Sequence, residues 1–346
     1  VETFNAHLLN EPWEVQNNSG LYFKVFSPYW RKAFDVYKAK KYQITSLKSI
    51  YPLEHNEKTQ WNFLPSKKWY QKFSNYWKPG EEAALEKLKY YINNHIDNYK
   101  EGRDRPDLDQ TSRLSPHLRF GEISPRMIVN QVIKSKKLDI SSLTFLSEIG
   151  WREFSYSLLY YSKDLSTMPI NEKFSKFPWR KNEKDLNLWK KGKTGIPLID
   201  AAMRQIYDNG WMHNRLRMVV GSFLVKNLLL NWTYGERYFQ NTLLDYDEAS
   251  NAAGWQWIAG CGADASPYFR VFNPVLQSER FDPQAKFILK YLPDLEELKK
   301  PSLIFQPYLS EESLNNLVKN KQYYYPIVDL KDSRNRALEA YQRIKS

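Results

Sequence analysis

Four stretches of this chain combine residue types that can do chemistry. The first is Thr111-Ser112-Arg113-Leu114-Ser115, followed by Pro116. Small hydroxyls around an arginine, in a turn before helical sequence, can offer N–H and O–H groups to phosphate oxygens. Taken alone, a hydroxyl-rich helix cap is the plainer account. The second lies on a strongly apolar helix expected over Phe145–Tyr161. Glu148, Trp151, Arg152 and Ser155 follow i, i+3, i+4, i+7 and share one stripe, while Phe154, Leu158 and Tyr161 line the opposite, core-facing one. A carboxylate, an indole and a guanidinium make an unusual solvated face, although a surface ion pair of Glu148 with Arg152 would explain two of them.

The third stretch runs from Trp211 to Met218 and on to Gly221. On a helix, Asn214, Arg217, Met218 and Gly221 face one way. Gly221 lets something bulky approach the backbone, at a propensity cost of roughly 1 kcal/mol against Ala. His213 has no second histidine at ligand spacing, so a metal site is rejected and a satisfied core histidine preferred. The fourth is Asp245-Tyr246-Asp247 through Trp257. Paired acids suggest metal binding or acid–base work. The small residues from Ala249 to Gly254 argue instead for a helix pressed against a large flat object. Asn251 and Trp255 share a face, and Trp257 points elsewhere.

These stretches need helices to position them. Gly80-Glu81-Glu82 opens one, with acids opposing the positive dipole end and Leu85, Leu88, Ile92 and Ile96 as its buried stripe. Ser124-Pro125 is an N-cap with proline at the first helical position. Pro197 starts another helix, which Asn209-Gly210 stops. Asn214–Asn231 and Ala249–Ala259 complete the set. The predicted fold is all-α from residue 80 to 346. Residues 1–79, broken by Pro12, Pro28, Pro52, Pro65 and Pro79, read as an irregular connector. It carries a lysine-rich run over Lys32–Lys48 and one short helical candidate, Phe34–Lys41.

Composition narrows the partners. A formal charge of +12 is the footprint of a polyanion, because neutralised phosphates release condensed counterions. Interleaved aromatics, including 12 Trp and 24 Tyr, add stacking platforms. A solvated basic surface accounts for the charge almost equally well. A single cysteine, Cys261, excludes an internal disulfide and fits a reducing, cytoplasmic setting. The most apolar stretch, Val219–Leu230, is interrupted by Lys226 and is too short to cross a bilayer. The chain opens on Val1 in mid-pattern, which points to a preceding part not contained in it.

Together, TSRLSPHLRFGEIS, FLSEIGWREF, GKTGIPLIDAAMRQIYDNGWMHNRLRM and NAAGWQWIAGCGADASPYFRVFNP resemble the photolyase/cryptochrome family, collinearly and over nearly the whole chain. The opening EPWEVQNNSGLYFKVFSPYWR is similar to the family's segment after its N-terminal α/β antenna domain. That domain has no counterpart here, so the antenna pigment is left unspecified. The resemblance implies a multi-helical domain holding FAD, active as FADH⁻. By that resemblance, Tyr99 and Thr111, Ser112, Arg113, Leu114 and Ser115 contact cofactor phosphates. Asp245, Tyr246 and Asp247 line the flavin, with Arg217 paired to Asp245, and Asn251 faces flavin N5. Trp255, Trp232 and Trp179 match an electron chain to the surface.

Glu148, Trp151, Arg152, Asn214, Arg215, Met218 and Trp257 match the pocket for a flipped lesion, and Arg103, Arg270 and Gln277 match DNA contacts. Asn214 and Met218 resemble the class I cyclobutane-pyrimidine-dimer kind rather than the (6-4) kind. The implied activity is light-driven repair of pyrimidine dimers in ultraviolet-damaged DNA, by a monomer without membrane attachment. A cryptochrome-like photoreceptor on the same scaffold is the main rival. A helical nucleic-acid-binding module without cofactor is the other.

Overall fold

Capping chemistry sets most helix boundaries, as the computed structural model of the chain shows. It describes residues 5–40, 66–135, 138–162 and 164–345. Sixteen α-helices lie among the described residues: α1 (Phe26–Ala39), α2 (Glu81–Asn94), α3 (Tyr99–Gly102), α4 (Ser115–Arg119), α5 (Pro125–Ser135), α6 (Ile140–Tyr161), α7 (Glu183–Lys190), α8 (Pro197–Asn209), α9 (Asn214–Ser222), α10 (Trp232–Thr242), α11 (Glu248–Ala259), α12 (Pro274–Phe281), α13 (Lys286–Tyr291), α14 (Pro301–Phe305), α15 (Glu311–Lys319) and α16 (Leu330–Lys345). The β contact among those residues is an isolated parallel bridge between Arg180 and Leu230. The all-α expectation holds. No helix among the described residues is long and apolar enough to cross a membrane.

Several expected caps are present as hydrogen bonds. Ser124 Oγ accepts from the Met127 N–H at 3.1 Å, and α8 ends where Gly210 takes a left-handed φ of 71°. α2 opens at Glu81 as expected, although its buried stripe is Ala84, Leu88, Tyr91 and Ile92 rather than the run through Leu85. Ile96 follows in a separate 3-10 turn.

Three boundaries differ from expectation. The helical piece expected over Phe34–Lys41 is the 14-residue α1, starting eight residues earlier. Pro28 sits in its first turn, where no intrahelical N–H is required, so it does not break the helix. Tyr29, Ala33 and Tyr37 are its buried face, and α1 packs on α6. Lys41 to Lys48 of the lysine run, with Pro52 and Pro65, lie outside the described residues. Second, α6 begins at Ile140, because Asp139 and Ser142 form a reciprocal capping box. Third, the helix expected over Asn214–Asn231 stops at Ser222. A π-turn over Phe223–Asn227 follows, and Leu229 turns left-handed at φ 56°.

α11 is the hub. It packs against α6, α9 and α10. The largest apolar cluster joins α7 to α11 with the C-terminal helices, a second joins α2, α5 and α6, and a third ties α1 to α6. Gly221 explains itself here. A Cβ at that position would lie 2.9 Å from Ile258 Cδ1 and 3.4 Å from the Trp255 ring, so the bulky neighbour is α11.

Candidate active site

The acids at the start of α11 are held by hydrogen-bonding neighbours in a largely buried place. Asp247 caps the helix, its Oδ1 accepting the Ser250 N–H at 2.8 Å, while its Oδ2 accepts the Tyr156 hydroxyl. Asp245 accepts twice from Arg217 Nη2, at 3.0 and 2.7 Å, and Arg217 Nε donates to the Met212 carbonyl at 2.8 Å. Burial, with Glu236 and Glu248 close by, pushes the Tyr246 hydroxyl up to about 12, so it stays a donor at neutral pH. Asn251 donates its amide to the Glu236 carbonyl at 3.1 Å and to its carboxylate at 3.0 Å.

One helical turn on, the α11 surface opens. A Cβ on Gly254 would meet nothing within 4 Å, although neighbouring Trp255 is only 2 % exposed. Trp255 and Trp257 face different ways, the first buried and the second half-buried.

On α6, Glu148 and Trp151 are half-buried. Glu148 does not pair with Arg152, as i, i+4 spacing allowed. It takes a hydrogen bond of 2.6 Å from Arg103 Nη1 instead. Burial pushes its carboxyl above the usual range, and Arg103 pulls it part of the way back. Arg152 turns to the N-terminal segment, donating 2.7 Å to the His7 carbonyl and a further bond to the His7 ring, with buried Glu153 at 3.6 Å. Arg152 therefore does not lie with Glu148. Ser155, placed on the same stripe, is buried and bonds back to the Trp151 carbonyl at 2.9 Å.

On α9, Asn214 is exposed and Met218 half-buried. Arg215 pairs with Asp104 at 2.5 Å, which puts α9 and the end of α3 side by side. Burial drives the His213 imidazole down to about 3. It is neutral and caps α9, its Nδ1 accepting the Arg215 N–H at 3.2 Å. No group of metal-ligating side chains occurs among the described residues.

In the turn from Thr111 to Ser115, Arg113 has a left-handed φ of 49° and Leu114 a right-handed −84°, the alternation of handedness found in anion nests, and the Leu114 N–H donates to Ser112 Oγ at 3.4 Å. Ser115 Oγ accepts from Trp211 Nε1 at 3.2 Å. Tyr99 is buried, and the Arg103 guanidinium lies 5.4 Å from its ring centre.

Of the three indoles, Trp255 and Trp232 are buried in the main core and Trp179 is half-exposed. Trp255 has ring contacts with Phe239 at 5.0 Å and Trp189 at 6.3 Å. The Arg180 N–H bonds the Leu229 carbonyl at 2.8 Å, which holds the Trp179 segment beside the chain entering α10, where Trp232 is the first residue. Arg270 is exposed, and Gln277 Oε1 is buried without a partner.

Sequence reasoning passed over two features. Tyr156 stands at i+4 from Arg152, a helical pairing signal, and its hydroxyl links His7 at 2.6 Å to Asp247. Trp189, fully buried against Trp255, carried no local signal.

Fold and site together define a helical flavin-binding scaffold of the photolyase type. The chain belongs to the photolyase/cryptochrome family: residues 145–343 match the model for the FAD binding domain of DNA photolyase. It is 43% identical to the deoxyribodipyrimidine photo-lyase of Agrobacterium fabrum, across 100% of this chain and 74% of that protein. A crystal structure of a bacterial class III photolyase from Agrobacterium tumefaciens superposes with a TM-score of 0.86 at 41% identity, covering 98% of this chain and 72% of that one. The class number differs from the class I kind to which the motifs are similar. A Synechocystis cryptochrome is more distant, with a TM-score of 0.69 at 32% identity over 76% of this chain and 56% of its own.

The residues present suit FAD. The Arg113–Leu114 turn has the backbone handedness that suits phosphates, and the open α11 surface at Gly254 suits a flat ring. Buried Arg113 Nε, Arg215 Nε and His213 Nε2 lack partners within the protein.

Proposed function

We propose that this chain repairs cyclobutane pyrimidine dimers in ultraviolet-damaged DNA with light, using reduced FAD, and acts as a monomer. The observation that carries this reading is the pairing of α6 with α11. Half-buried Glu148 and Trp151 lie on the first helix, and the second carries half-buried Trp257 together with the acids at its start and Asn251, which supports one shared site. A DNA-binding surface alone has no need of the largely buried Arg217–Asp245 pair. The site residues are assigned accordingly. Tyr99, the turn Thr111–Ser115, Arg217, Asp245, Tyr246, Asp247 and Asn251 hold the cofactor. Glu148, Trp151, Asn214, Arg215, Met218 and Trp257 receive the lesion, while Arg103, Arg270 and Gln277 meet the DNA.

One-electron chemistry is what a bound, reduced flavin supplies here: an electron lent to the cyclobutane ring and returned once the ring has opened. The protein's part is binding, orientation and electrostatics. The pocket must offset the cost of flipping the lesion out, a few kcal/mol and least for damaged bases. Trp151 and Trp257 offer apolar faces to the pyrimidines. Glu148 offers a hydrogen bond where negative charge develops on the dimer, and in a desolvated pocket that contact is stronger than in water.

The similarity to a cryptochrome keeps a signalling photoreceptor as the competing reading. A repair assay separates them. Purified, flavin-loaded, reduced protein should restore dimer-containing DNA under blue or near-ultraviolet light and not in the dark. Bound flavin with no repair would favour signalling, and colourless protein would leave only a nucleic-acid-binding module.

A further inference from the structure

The indole of Trp151 has one face covered. Phe26 lies on it with ring centroids 3.8 Å apart and planes 8° from parallel, closer than the roughly 4.5–7 Å usual for aromatic pairs. Both rings stand edge-on to Phe154, at 6.0 and 5.9 Å, and Phe154 is buried against Tyr29.

Phe26 is itself fixed through the backbone. It is the first residue of α1, and its N–H, which no intrahelical carbonyl can satisfy, donates to Asp264 Oδ2 at 3.0 Å. Asp264 belongs to the loop after α11 and holds a left-handed φ of 48°. Three parts of the chain thus meet at Phe26: the start of α1, the middle of α6 through the ring, and the loop after α11 through the backbone. A half-exposed indole on a helix would otherwise lose rotamer freedom each time it bound a ligand.

We infer that Phe26 is a positioning residue for lesion recognition, which fixes the plane of Trp151 and leaves its other face for the flipped pyrimidines. The inference rests on the proposed lesion pocket. Neither Phe26 nor Asp264 touches that lesion in this arrangement, and both act through Trp151.

The test compares wild type, Phe26→Ala, Phe26→Leu, Phe26→Tyr and Trp151→Ala, all flavin-loaded. The probes are a duplex with one cyclobutane thymine dimer and the same duplex undamaged. Phe26→Ala and Phe26→Leu should lose roughly three- to tenfold in preference for the damaged duplex. Their flavin content and affinity for undamaged DNA should stay at the wild-type level, and Phe26→Tyr should retain the preference. If Phe26→Ala fails to fold, the nearly volume-conserving Phe26→Leu decides. Wild-type preference in Phe26→Leu, with preference lost in Trp151→Ala, overturns the role of Phe26 and leaves the pocket standing. Preference retained in Trp151→Ala removes the pocket and this inference with it.

Discussion

Arg103 holds Glu148 by a charge-assisted hydrogen bond of 2.6 Å, while the next residue, Asp104, holds Arg215 at 2.5 Å. Residues 103 and 104 thereby staple α6 to α9 across the end of α3. Burial pushes the Glu148 carboxyl above its usual range, and Arg103 is the partner that opposes the shift.

Replacing Glu148 by Gln keeps its shape and removes its charge. Loss of a hydrogen bond to a charged group, about 1.5–3 kcal/mol, should lower repair roughly tenfold or more in pre-reduced enzyme, with the flavin absorbance unchanged. Repair and bound flavin falling together in Glu148→Ala would instead mark the residue as structural.

The Arg217–Asp245 pair should decide cofactor retention. The Asp245 side chain is 3% exposed, so Arg217→Ala strands a buried carboxylate, at a cost of about 3–5 kcal/mol if it stays charged. The purified variant should lose most of its flavin, read from absorbance after denaturation. Full retention would place the pair away from the cofactor.

Photoreduction should depend on the indoles and repair should not. Trp179→Phe should slow photoreduction of oxidised flavin, yet spare repair by enzyme reduced beforehand. Gly235 gives a second handle, because a Cβ there would lie 2.1 Å from the Trp255 ring. Gly235→Ala should cost about 1–3 kcal/mol of stability by overpacking and, by moving Trp255, should also slow photoreduction. Unchanged photoreduction kinetics in Trp179→Phe would remove that residue from the chain.

Glu153 should set a pH dependence of stability. It is fully buried, accepts the Leu9 and Asn10 N–H groups at 2.9 and 3.3 Å, and burial pushes its carboxyl up to about 7. Between the unfolded value near 4.5 and this folded value, the native state binds the extra proton. This group's contribution is therefore fully present below about 4.5 and lost as pH rises through about 7. The span is on the order of 3 kcal/mol. Denaturant midpoints across that window should fall with rising pH, and Glu153→Gln should flatten the slope.

Local signals located α1, α2, α5, α6, α8, α9 and α11, because caps and breakers act over a few residues. Ser124-Pro125, Pro197 and Asn209-Gly210 each state a boundary in their own chemistry. Phe34–Lys41 fell short because α1 is stabilised by Tyr29, Ala33 and Tyr37 burying against α6, and its sequence alone carries no strong N-cap. The π-turn after Ser222 escaped for a similar reason. Its fully buried Lys226 donates to the Arg270 carbonyl at 2.8 Å, a partner 44 residues away.

What the sequence by itself determined is the family, the all-helical class and the residue types on each candidate stripe, since these follow from motif order and periodicity. Only the tertiary structure decided who pairs with whom. Glu148 chose Arg103 over Arg152, Arg152 went to His7, and Phe26 settled on Trp151. The i, i+4 rule names partners on one helix, but a half-buried charge pairs with the neighbour whose hydrogen bond best offsets its burial, and here that neighbour comes from another part of the chain.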